Sequence, residues 1–295
     1  MRRVVWQMLP LVFAALAGVV LGGCGKRGAE NEQAYAPRVV VYGPSGLQRA
    51  LEAAKQLLRI RQPDVRVDLM LDNANVLVRK VTDLGERPDV FISPGELELK
   101  QLRDAGLIDE ITVRDFGSLD MAIIAPSTRK DISALQDLSS PSVKRISMGD
   151  PKSTSVGYYG AQVLRKLGLW DGLQSKLLLR EAPLEPVTLV ESGQADAGIV
   201  YLTCPLETNP DKVSRSALKI VERIPRDACP PIRLQLGILK TSRNRDAAKK
   251  FADFMISDEA QSTMAGYGVL PAVEINREAG GRPVVTDPGT SSTSQ

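Results

Sequence analysis

The chain contains no histidine. Ser-His-Asp and Cys-His catalysis, imidazole-ligated zinc or copper, and every histidine acid–base pair are thereby excluded. Charge of one sign is also lacking. Lys and Arg total 38 against 35 Asp and Glu, a formal net charge of +3, and two of those positive charges, Arg2 and Arg3, lie in a segment expected to be cleaved. Nothing resembles the clustered basic field of a nucleic-acid binder. No phosphate-cradling glycine loop of the Walker type, no nucleophile–base pair, no fixed-period repeat and no heptad run is present. What remains is an ordinary folding composition, 43% hydrophobic and 25% charged over 295 residues, enough for a core and for roughly two domains.

The amino terminus has the pattern of an address. Arg2 and Arg3 precede an uncharged run, Leu9 to Leu21, that is broken by Pro10 and Gly18 and is shorter than the ~20 residues of a comfortable membrane-spanning helix. Leu21-Gly22-Gly23-Cys24 closes it and resembles a bacterial lipobox, which implies cleavage before Cys24 and lipid on its sulfur. Residues 1–23 are therefore expected to be a lipoprotein signal peptide and 24–37 a flexible tether. The mature protein is placed outside the cytoplasm, on the periplasmic face of the cell envelope. Of the remaining cysteines, Cys204 and Cys229 lie in Pro-flanked stretches. In an oxidising compartment an even pair favours a disulfide.

From Arg38 onward, strands and helices alternate. Arg38 to Tyr42 is a β-branched apolar run. Leu47, Leu51, Ala54 and Leu58 then share a helical face, with Ser45 and Gln48 spaced as a capping box. Val65 to Leu71 alternates as a second strand, Asn73 to Leu84 has a helical pattern, and Asp89 to Ser93 is a third strand. Two βα units in succession imply parallel pairing. Glu96 to Ala105 predicts a helix closed by Gly106. Met121 to Ala125, Arg145 to Met148, Gly198 to Leu202, Ala217 to Arg223 and Ile232 to Leu239 are further strands. Helices are expected around Ala161 to Leu167, around Val187 to Gly193, and over Asp246 to Tyr267 with a break near Ser257. The pattern predicts an α/β protein of two lobes, each a mostly parallel sheet flanked by helices. Ligands of such sheets bind beyond the carboxyl ends of strands. Ser45, Asn73 to Asn75, Ser153 to Gly157 and Tyr201 occupy those places, although all are equally natural as helix caps or as a half-buried aromatic.

Five segments, RVVVYGPSGL, ERPDVFIS, ISMGDPKSTSVGYYGAQVLRKLGLWDGL, ESGQADAGIVY and FADFMISDEAQSTMAGYGV, resemble the molybdate-binding proteins of ATP-driven importers in order and spacing. The likeness covers about Arg38 to Ala272. It implies a two-lobed, type II-like periplasmic binding fold without cofactor or catalytic activity. The lobes would close on molybdate or tungstate through neutral donors, and the monomer would dock on a membrane permease. Lobe 1 is expected to comprise 38–120 and 219–276, lobe 2 to comprise 121–218, and 277–295 to be a disordered tail. By position, the resemblance assigns ligand contacts to Ser45, Ala74, Asn75, Val156 and Tyr201. The family's hydroxyl is missing at Ala74, where the neighbouring Asn75 offers an NH₂ group instead, with Asn73 beside it. A further backbone donor falls on Pro183, which has no N–H. Other readings stand beside this one. Tyr158, Tyr159 and Tyr201 are similar to the phenols of tyrosinate ferric-iron binders, although helix packing also explains the pair. A lipid-tethered sensor would share every feature, and an enzyme would have to use Ser45, Tyr201 or Asp150 as base.

Overall fold

A computed structural model describes residues 37–208, 217–229 and 232–272. The expected signal peptide, Cys24, the body of the tether and the tail lie outside the described residues. In chain order the elements are β1 (Arg38–Pro44), α1 (Gln48–Arg61), β2 (Arg66–Asp72), α2 (Ala74–Thr82), β3 (Val90–Pro94), α3 (Leu97–Asp104), β4 (Arg114–Leu119), β5 (Met121–Pro126), β6 (Ile146–Gly149), α4 (Ser155–Lys166) and α5 (Trp170–Leu173). They continue with β7 (Leu177–Arg180), α6 (Glu185–Glu191), β8 (Ala197–Tyr201), α7 (Cys204–Thr208), β9 (Leu218–Arg223), β10 (Ile232–Ile238), α8 (Arg245–Met255) and α9 (Asp258–Ala265).

Two five-stranded mixed sheets result, ordered β2-β1-β3-β10-β4 and β7-β6-β8-β5-β9. In the first, β1 pairs parallel with β2 and β3, and β10 runs antiparallel between β3 and β4. In the second, β6 pairs parallel with β7 and β8, and β5 runs antiparallel between β8 and β9. Each sheet thus has one reversed strand, and it is the strand adjoining a lobe crossover. Apolar residues on both faces explain the helices on both sides. Val39 and Val41 of β1 pack with Leu51, Ala54 and Leu58 of α1. Tyr42 packs on the other face with Leu77, Val78, Leu99 and Leu102 of α2 and α3.

The chain crosses between the sheets at Asp120 and again between β9 and β10. The expected boundary at 219 is corrected by this pairing: β9 lies beside β5 in the second sheet, because its register buries Leu218 at the edge of that lobe. The two crossings are tied together. Asp120, 4% exposed, lies 3.6 Å from the Arg223 guanidinium, and Ile224 donates its backbone N–H to Met121 O at 2.9 Å.

The expected capping box at Ser45 is also corrected. Ser45–Leu47 forms a separate 3₁₀ turn, and α1 begins only at Gln48, with Leu47 as its N-cap and no side-chain cap bond. Pro44 fixes the entry to the turn. The orphan Arg49 N–H is taken instead by the Glu207 carboxylate of α7, 3.0 Å away.

Candidate functional site

Three helical starts meet between the lobes. In lobe 1 the Ser45–Leu47 turn follows β1, and α2 follows β2. In lobe 2, α4 follows β6. The first N–H groups of a helix have no partner within it. Asn73 caps α2 by accepting the Asn75 N–H at 3.0 Å, and Thr154 caps α4 by accepting the Gly157 N–H at 3.0 Å. The caps leave the N–H groups of Ala74, Ser155 and Val156, the first residues of these helices, without intrahelical acceptors. Gly157 permits the approach of α4 to β6, since a Cβ there would overlap the Gly149–Asp150 backbone.

The enclosed space at this meeting point measures about 20 Å³, where a single water needs roughly 10–15 Å³. Gly46, Leu47, Asn73, Ala74, Ser155 and Val156 line it, with Tyr201 and the apolar walls of Pro44, Pro94, Leu119 and Pro183. Among the described residues no Lys or Arg lines it, and Asp72 is the acidic residue in its wall. A wider groove of about 690 Å³ adjoins it, with Ser45, Asn75, Arg79, Gln101, Lys152 and Glu181 in its walls. The structure therefore brings Ala74, Val156, Tyr201, Asn73 and Pro183 to the inner chamber, and places Ser45 and Asn75 at its mouth.

The cleft is closed by direct bonds between lobes. Asn73 Nδ2 donates to Ser153 O at 3.2 Å and to Glu181 O at 2.8 Å, and Asn75 Nδ2 donates to Ser153 O at 2.8 Å. Asn75 was expected to offer its NH₂ group to the ligand, yet one of its two N–H donors is taken by the opposite lobe. Tyr201 donates its hydroxyl to Pro94 O at 3.3 Å, long for an O–H···O bond, so that hydrogen bond is weak. Burial drives its pKa well above the ordinary phenol value, which keeps it a donor. Tyr159 accepts the Glu96 N–H at 3.2 Å, and burial pushes its pKa up to about 12. The three phenols do not converge: Tyr158 is 37% exposed and meets Tyr159 edge-on at 5.3 Å.

Pro183 contributes only ring surface. Glu185 N–H bonds back to Ala182 O at 3.2 Å, so that donor is spent within the turn. The expected Cys204–Cys229 disulfide is corrected, because both residues stand as thiols. Cys204 opens α7 beside the Gly46 turn, with its thiol pushed by burial up to about 12. Cys229 lies in the connection to β10, where burial and then the Asp120 charge push its thiol up to about 11. Sequence reasoning missed Gly46 as a chamber residue and reached Ser155 only as part of the Ser153 to Gly157 stretch. Ser153-Thr154-Ser155 carried a capping signal, and only the helix start shows that Thr154 is the cap and Ser155 a wall.

A two-lobed protein with an interlobe chamber and two tied crossings is built to close on a small solute. The bacterial extracellular solute-binding protein family model matches residues 39–270, and the chain belongs to that family. It is 25% identical over 258 residues to the putative ABC transporter substrate-binding lipoprotein YvgL of Bacillus subtilis, covering 87% of this chain and 95% of that one. It is 27% identical over 239 residues to the molybdate-binding protein ModA of Haemophilus influenzae, covering 80% and 91%. The substrate-binding domain of a putative molybdenum ABC transporter from Clostridium difficile superposes with a TM-score of 0.65 at 27% identity, over 80% of this chain and 99% of that one.

Proposed function

We propose that the chain is the solute-binding component of an ATP-driven importer, that it holds a tetrahedral oxyanion of the molybdate or tungstate type in the chamber, and that it passes the anion to a membrane permease. One observation carries the reading: the chamber is ringed by helix starts from both lobes and, among the described residues, lined by no Lys or Arg. Helix N-termini present N–H groups and positive dipole ends to an anion. Charge-assisted bonds of this kind contribute ~1.5–3 kcal/mol each, so a few neutral donors suffice. As it stands the chamber holds about one or two water-sized atoms, so a tetrahedral oxyanion enters it with a small parting of the lobes, whereas a sugar or an amino acid needs a far larger one. The bare methyl of Ala74 and the ring of Pro183 leave fewer donors than the molybdate-binding family pattern implies, which favours weaker binding or another anion of the same shape.

A thermal-shift and calorimetry panel of molybdate, tungstate, sulfate, phosphate and ferric citrate tests this. A ligand of the folded state raises stability by RT ln(1 + [L]/Kd). Stabilisation by ferric citrate alone would replace the anion reading with a metal one. The tether reading adds a lipid on Cys24: wild type partitions into detergent, Cys24→Ser does not, and a soluble wild type refutes it.

A further inference from the structure

Glu98, in the first turn of α3, is fully buried although it carries a carboxyl group. Among the described residues no Lys or Arg pairs with it. Its nearest polar partner is Ser93 of β3, whose Oγ lies 2.9 Å from Glu98 Oε2 and 2.6 Å from Gly95 O. Ser93 has one proton, and the Gly95 carbonyl can only accept. Once that proton goes to Gly95 O, the Ser93–Glu98 contact needs a proton of its own, which only Glu98 can supply. The other oxygen, Oε1, has no hydrogen-bond partner. The Glu98 backbone and the Ser155 side chain also favour the ionised form, but burial outweighs them, and an ionised oxygen without a donor is costly where the carbonyl oxygen of a neutral acid is far less so.

The carboxyl faces lobe 2. Ser155 and Tyr159 of α4 and Tyr201 of β8 are close enough to interact with it, and Ser155 and Tyr201 also line the chamber. Glu96 on the adjoining turn is the nearest acidic residue in sequence, and it is engaged by Arg233 of β10, which also pairs with Asp115. A full negative charge at Glu98 would therefore stand one side chain behind any anion in the chamber, in a region closed to solvent.

We propose that Glu98 is a proton-bearing positioning residue whose neutral form is required for the cleft to close on a dianion, so that anion binding takes up one proton. The inference rests on the oxyanion reading of the chamber. Burial pushes the carboxyl up to about 7, so the coupling falls in the neutral range. Dianion affinity then stays level below that point and falls toward about tenfold per pH unit above it.

Molybdate calorimetry on the wild type from about pH 6 to about pH 9, in two buffers of different ionisation enthalpy, measures the proton count directly. Infrared spectroscopy of the ligand-free protein looks for the protonated-carboxyl band that Glu98→Gln removes. The expected results are uptake approaching one proton above pH 7, a flat affinity profile in Glu98→Gln, and a carboxyl band at pH 6 that fades by pH 9. Molybdate binding with the same affinity at every pH overturns the coupling and leaves the chamber reading intact. Absence of the band at pH 6 overturns the protonated state, whatever binds. A band that behaves as stated while molybdate binds at no pH supports the protonated Glu98 and overturns the oxyanion reading instead.

Discussion

Replacing Asn75 by Ala isolates the closing force of the cleft. Its Nδ2 spans the lobes to Ser153 O at 2.8 Å, while Asn73 keeps both the cap of α2 and its own bonds to Ser153 O and Glu181 O. A net hydrogen bond contributes about 0.5–1.5 kcal/mol. If it exists only in the closed form, its loss lowers the closed-to-open ratio by roughly twofold to tenfold. A ligand that binds only the closed form loses no more than the same factor, because it must supply that free energy itself. Asn75→Asp goes further, since it sets a carboxylate against the Ser153 carbonyl and near the anion. The assay is small-angle scattering of the ligand-free protein together with calorimetry on the best anion of the panel. Wild type, Asn75→Ala and Asn75→Asp should expand in that order and bind progressively more weakly. Equal scattering profiles and equal affinities for all three would refute the assignment of Asn75 as a cross-cleft latch.

Tyr201→Phe removes one donor from the chamber and should weaken oxyanion binding by roughly 1–3 kcal/mol with a small change in melting temperature; undiminished affinity by calorimetry removes Tyr201 from the site. Gly95 adopts φ +122° with the Tyr159 ring where a Cβ would stand, so Gly95→Ala should cost ~1–3 kcal/mol and open the cleft; a melting temperature equal to wild type would contradict this. Glu98 titrates near 7 in the fold against an ordinary 4.5, so its contribution is full below the ordinary value and is lost as pH rises through the folded one. Denaturant unfolding should show a loss of up to about 3 kcal/mol across that window that is absent in Glu98→Gln, and a parallel loss in both proteins would refute the assignment. Cys204 and Cys229 should both react with a thiol reagent, slowly and mainly on unfolding, and a reductant should leave the melting temperature unchanged; an unreduced mass two hydrogens lighter would show a disulfide.

The βα alternation was legible because it depends on local periodicity. The apolar face of Leu47, Leu51, Ala54 and Leu58 marks α1, and β-branched runs mark β1, β3 and β8 whatever they pack against. β4 and β7 escaped notice. RDFGSL lacks a β-branched run, and the four residues of β7 are too few for a period to show. The lobe boundary at β9 was misplaced because LKIVER pairs equally well by pattern with either sheet, and only long-range register assigns it to β5. The chamber divides in the same way. Helix starts and strand ends are sequence properties, so the stretches Asn73–Asn75 and Ser153–Gly157 and the residue Tyr201 could be picked out in advance, and the family resemblance singled out Ala74 and Val156 within them. Whether a polar group at such a place faces a ligand or the other lobe depends on how the lobes meet. The closed cleft sends the Asn75 amide to Ser153, turns Ser155 into a chamber wall and seals the Glu98 carboxyl away from water. It also forms no bridge between Cys204 and Cys229, although pairing arithmetic favoured one. Propensity and hydrophobic period act over a few residues, whereas burial, hydrogen-bond partners and proton affinity are set by groups far apart in sequence. The sequence alone therefore determined the layers and the helix starts, and the tertiary structure decided which donors remain free for a solute.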